Sequence, residues 1–124
     1  MNTQEVFDKV VAHLRQQARR ALREDNSHAV SIITCAYRAK DGAKCAVGCL
    51  IDDDEYGPWM ESLSPKYILS HHKAMPSLIM KLEEHLYILN DLQSIHDKHG
   101  PEQWEACWKS CAEVHKVIYT PPIG

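Results

Sequence analysis

Five cysteines, at positions 35, 45, 49, 107 and 111, and eight histidines are the residues of this 124-residue chain best equipped for chemistry. Cys107, Cys111 and His115 recur at i, i+4 and i+8, so on a helix all three project from nearly one face. Thiolate sulfur and imidazole nitrogen are zinc ligands, and His85, His96 or His99 would supply a fourth. The same stripe carries Trp104, Trp108, Val114 and Ile118, which in the competing reading makes both thiols small core residues. The short Cys-x2-Cys knuckle of common zinc modules is absent. No metal or other cofactor is therefore expected, with zinc on Cys107, Cys111 and His115 as the alternative. Cys35, Cys45 and Cys49 match no zinc spacing. The odd cysteine count and the lack of an export-signal pattern after Met1 predict reduced thiols.

A nucleophilic cysteine needs a histidine and an orienting group beside it. Eight histidines make chance pairings easy, so each pair must be weighed by geometry. His71 and His72 stand beside Lys73, just before a Met75-Pro76 break. His96 and Asp97 are sequence neighbours, and neighbours on a helix point about 100° apart, so neither is expected to orient the other. There is no glycine-rich phosphate loop, no His-Glu-x-x-His and no nucleophile elbow. The sequence predicts a protein that is not an enzyme.

Lys and Arg total 14 against 17 Asp and Glu, a formal net charge of -3. Domains that hold nucleic acid by bulk charge are strongly basic, so direct nucleic-acid binding is not expected. The charge is unevenly placed. Asp52, Asp53, Asp54 and Glu55 run together, followed by Tyr56 and Trp59, and no Lys or Arg occurs between Lys44 and Lys66. This run reads as a solvated loop or helix start, or as a surface for a basic partner with Tyr56 and Trp59 as aromatic anchors. It does not meet the spacing of a calcium-binding helix–loop–helix. Arg15, Arg19 and Arg20 fall on the polar side of the first amphipathic stretch and form a second candidate partner surface, against a solvated face as the alternative.

These residues must be positioned by elements, and 124 residues suit one domain, 1–124. Val6, Phe7, Val10, Val11, Leu14, Ala18, Ala21 and Leu22 keep helical spacing and predict a helix over 3–24, with Asn2 and Glu5 placed as a capping box. Residues 30–51 predict a hairpin or strand–turn element around Asp41-Gly42, with 44–51 left open between a return strand and a short buried helix. Gly48 and its small neighbours there suggest close approach of another element. An acidic segment spans 52–61. Further helices are predicted over about 64–72, 76–99 and 101–118, opened by Pro65, Pro76 and Pro101, with a tail over 119–124. The expected fold is mainly α, a small helical bundle with one inserted β-hairpin or strand–turn element, or α+β as the alternative. No apolar run approaches the ~18 residues of a membrane span, so no membrane partner is expected.

The segment Cys35-Ala36-Tyr37-Arg38, then Asp41-Gly42-Ala43-Lys44-Cys45-Ala46-Val47-Gly48-Cys49-Leu50-Ile51, then Asp54-Glu55-Tyr56, resembles a family of small accessory proteins of tailed bacteriophages and prophages. Leu92-Gln93-Ser94-Ile95-His96-Asp97 and Trp104 extend the likeness. It covers about two-thirds of the chain, with Asp52 as a departure where such chains often carry proline. The resemblance implies a cytoplasmic protein of an infected bacterial host. By analogy of source, it implies an interaction protein that binds and inhibits or modulates a host or antiviral-defence complex, in the manner of anti-CRISPR proteins. A homodimer stays open as an assembly. The alternative function is a small zinc-binding protein, catalytic or nucleic-acid-binding.

Overall fold

The computed structural model describes residues 1–26 and 32–123. The architecture is mainly α with one small antiparallel hairpin. Residues 30 and 31, which open the predicted hairpin segment, and Gly124 of the tail lie outside the described residues.

Helix α1 (Thr3–Gln17) begins with the capping box: the Asn2 side chain accepts from the Glu5 N–H at 2.8 Å, and the Glu5 carboxylate accepts from the Asn2 N–H at 3.0 Å. Val6, Phe7, Val10, Val11 and Leu14 form its buried stripe. The helix stops about two turns before the predicted end, because Ala18 adopts a left-handed conformation (φ 57°). Three groups then compete successfully for the backbone that follows. The Gln17 amide donates to the carbonyls of Arg19 and Lys44, the buried His96 ring accepts from the Ala21 N–H, and residues 22–25 pair with a second strand.

That hairpin joins β1 (Leu22–Asp25) to β2 (Ile32–Cys35), in the register Leu22↔Cys35 to Asp25↔Ile32. Its second strand falls inside the predicted element over 30–51, while residues 22–24 of its first strand fall in the predicted helix over 3–24. Around Asp41-Gly42 there is a turn (Gly42 φ +93°) held by the Ala39–Ala43 backbone bond, but only the single bridge Arg38↔Lys44 flanks it. Residues 44–51 form neither strand nor α-helix. They make tight turns and a 3-10 helix (Gly48–Leu50), with Cys45, Ala46, Val47, Leu50 and Ile51 buried. Gly48 is required by contact: a Cβ there would lie 2.0 Å from the Tyr37 carbonyl oxygen.

Helix α2 (Pro65–Leu69) is shorter than predicted, and Ser64 precedes it without a side-chain cap. The predicted 76–99 helix is two helices, α3 (Pro76–Glu84) and α4 (Leu86–Lys98), broken at His85. The His85 ring sits 2.8 Å from the Met1 carbonyl, a tertiary bond with no glycine or proline to announce it. Helix α5 (Trp104–His115) follows a 3-10 turn at Pro101–Gln103 and ends at Lys116 in the left-handed region (φ 57°). Helix α4 is the centre of the molecule, packing against α1, α2, α3 and α5. Among the described residues no helix is long and apolar enough to cross a membrane.

Candidate functional site

The acidic segment is anchored by one of its own carboxylates. Glu55 turns inward, its side chain 2% exposed, and accepts from Lys81 Nζ at 2.9 Å, the Asp52 N–H at 2.9 Å and Ser77 Oγ at 2.6 Å. Burial alone would raise its carboxyl, but the bonds from Ser77, Asp52 and Lys81 outweigh it and hold the group below the usual glutamate range. Glu55 is therefore an internal residue and not a contact residue, which corrects the sequence reading. Asp52, Asp53 and Asp54 remain exposed. Asp52 lies 3.6 Å from Lys81 and Asp53 2.8 Å from Arg38, while Asp54 makes no ion pair with any described residue.

Tyr56 is half-buried beneath the Arg38 guanidinium, 4.7 Å from its ring centre, and donates its hydroxyl to Glu61 at 2.7 Å. Burial and the Glu61 carboxylate push that hydroxyl up to about 12. Trp59 is also half-buried and stacks on His71 at 4.2 Å, and His71 stacks on His72 at 4.6 Å. The predicted acidic–aromatic surface thus keeps Asp52, Asp53, Asp54 and Trp59, while Tyr56 is largely committed to its neighbours.

The arginine surface is not assembled. Arg15 makes a bidentate pair with Glu105 (2.7 and 2.8 Å), donates to the Thr120 carbonyl at 2.7 Å and lies under 6 Å from the rings of Trp108 and Tyr119. It ties the chain after α5 to α1. Arg19 and Arg20 lie past the left-handed cap: Arg19 reaches Asp41 at 3.5 Å, and Arg20 reaches the Asp97 carbonyl. The early end of α1 removes the shared helical face on which the three were expected.

A cleft of about 580 Å³ opens between the hairpin, residues 62–65 and α4, with Cys35 and Asp97 in its lining. His96 and Asp97 do meet, Nδ1 to Oδ1 at 2.8 Å, contrary to the expectation from their adjacency. Because His96 Nε2 accepts from the Ala21 N–H at 3.0 Å, the ring proton sits on Nδ1 and is donated to Asp97. Gln93 donates to the same Asp97 oxygen at 2.8 Å. Both side chains are drawn to one seam, where residues 21 and 35 lie against α4. The arrangement resembles a nucleophile set in composition only. Burial and Asp97 push the Cys35 thiol up to about 12, so a thiolate is disfavoured, and His96 has no free nitrogen.

On α5, Cys111 and His115 lie one turn apart as their spacing predicts, but the third member of the group is Asp91 of α4 rather than Cys107. Their ligand atoms lie within 4.8 Å of one another, and His115 Nε2 is 2.5 Å from Asp91 Oδ2. Burial and Asp91 push the Cys111 thiol up to about 11. The three histidines considered as a fourth ligand are engaged elsewhere: His85 with Met1, His96 with Ala21 and Asp97, and His99 with Gln103. Asp91 escaped the sequence reading because only the packing of α4 on α5 brings it to this stripe. Set against protein-family models, curated proteins and solved structures, the chain matches none.

Proposed function

We propose that this protein acts by binding, with the loop over 52–59 as its contact surface and a basic face of a host or antiviral-defence complex as its partner. The partner class comes from the sequence resemblance to phage accessory proteins. The observation that carries the surface is Glu55. Its buried bonds to Ser77, Lys81 and the Asp52 N–H hold the loop so that three aspartates project outward beside the stacked Trp59. A loop already fixed loses little conformational freedom on docking, and exposed like charges steer an oppositely charged partner. Catalysis has no part in this reading: burial raises the thiols of Cys35, Cys45, Cys49 and Cys111, and the histidine beside Cys35 has both nitrogens engaged.

The test is a charge reversal, Asp53→Lys with Asp54→Lys. Both side chains are exposed and Asp54 has no ion pair to lose among the described residues. The cost is confined to the Asp53–Arg38 pair, and the free energy of unfolding should fall by no more than about 1 kcal/mol. Proteins retained from infected or defence-competent bacteria by the parent chain should be lost from the variant, as read by mass spectrometry, and salt should weaken their retention. Equal retention by both chains would exclude this loop as the contact surface.

A further inference from the structure

Among the described residues, two groups of cysteine, histidine and aspartate have a metal-like arrangement, and their second contacts distinguish them. In the first, Cys35, His96 and Asp97, the His96 ring is fully buried and holds the Ala21 N–H on Nε2. A cation there would displace that bond and strand a buried donor. In the second, Asp91, Cys111 and His115, His115 bonds only to Asp91 among the described residues. Asp91 is 54% exposed on its side chain and free to shift, while Cys111 comes from the buried face of α5.

We propose that Asp91, Cys111 and His115 form a binding site for a borderline-soft divalent cation, Zn²⁺ being the best match, with water in the fourth position. Sulfur and imidazole ligands select against Mg²⁺ and Ca²⁺, which take oxygen sets. Zinc bond lengths of roughly 2.0–2.3 Å place tetrahedral ligands about 3.3–3.8 Å apart, within the spread of this group once the His115–Asp91 contact opens. Two ligands one turn apart on α5 and one from α4 chelate the ion across the helix seam. On binding, Cys111 releases its thiol proton to solvent and the sulfur forms the metal bond. His115 moves its ring proton to Nδ1 and coordinates through Nε2, and Asp91 exchanges its hydrogen bond for coordination. This site is independent of the loop over 52–59.

The experiment uses the full chain, reduced and stripped of metal with a chelator, titrated with Zn²⁺ by calorimetry and with Co²⁺ by absorption. One ion per chain is expected, with tetrahedral cobalt bands and a sulfur-to-cobalt charge-transfer band. Cys111→Ser should abolish the charge-transfer band, and His115→Gln and Asp91→Asn should each weaken affinity at least tenfold. Cys107→Ser should leave binding unchanged. At equal concentration Zn²⁺ should raise the melting temperature of the parent chain more than that of His115→Gln, which separates weakened binding from lost folding. Absence of saturable binding, or a charge-transfer band that survives Cys111→Ser, would overturn the proposal.

Discussion

His96 is the residue whose surroundings most constrain its chemistry. It is fully buried, accepts from the Ala21 N–H and donates to Asp97, so one ring joins the backbone before β1 to the last turns of α4. His96→Phe keeps a planar ring, slightly larger, but leaves the buried Ala21 N–H without an acceptor and Asp97 with Gln93 as its remaining side-chain donor. The expected cost is about 2–4 kcal/mol in a urea unfolding experiment, since stranded buried polar groups lose their full desolvation penalty. A cost near zero would mean that His96 fills space and does not organise this seam. Glu55 shows the same principle at the acidic loop: the sequence offers four similar carboxylates, and the fold uses one internally and three externally. Composition cannot tell them apart, because the difference lies in Ser77 and Lys81 arriving from α3.

The boundary of α1 is the element on which sequence and structure part most clearly, and one substitution tests it by sign. Ala18 holds a left-handed φ of 57°, which costs a residue with a Cβ roughly 1–2 kcal/mol and glycine almost nothing. Ala18→Gly should therefore raise stability by about 0.5–1 kcal/mol in thermal or urea unfolding. In an uninterrupted helix over 3–24 the same change would lower it by about 1 kcal/mol. The start of α1 was legible because its cap is local: Asn2 and Glu5 bond each other three residues apart. The turn at Asp41-Gly42 and the opening of α5 after Gly100-Pro101 were legible for the same reason. The end of α1 and the break at His85 depend on partners far away in sequence, Lys44 and His96 for one and Met1 for the other. Ala18, Ala21 and Leu22 fit a helical period, yet residues 22–25 pair with β2. Of the candidate sites, the exposed aspartates and the Cys111–His115 spacing could be read directly; Asp91 and the internal role of Arg15 required the packing of α5 on its neighbours.

Across the whole molecule, two carboxylates fasten segments distant in sequence, and both are depressed. Glu105 is held low first by its hydrogen bonds from Arg15 and then by Tyr119, whose hydroxyl donates to it at 2.6 Å; this closes the chain end onto α1. Glu55 is held low by the bonds that outweigh its burial, closing the acidic loop onto α3. A carboxyl with a depressed folded value stabilises fully above its unfolded value, about 4.3 for glutamate, and that stability is lost as pH falls through the folded value. The thiols act in the opposite sense. Cys35 at about 12, and Cys49 and Cys111 at about 11, resist ionisation in the fold, so their contribution is present below the unfolded thiol value of about 8.5 and lost as pH rises above it. Urea midpoints measured under reducing conditions should therefore form a plateau between the two ranges and decline on both sides. Glu55→Gln should flatten the acid decline more than Glu105→Gln, because the Glu105 side chain is 37% exposed and water screens its pair with Arg15. Were both variants to keep the parent's acid slope, the stability of this chain in acid would be governed by groups other than the two carboxylates that close its loop and its end.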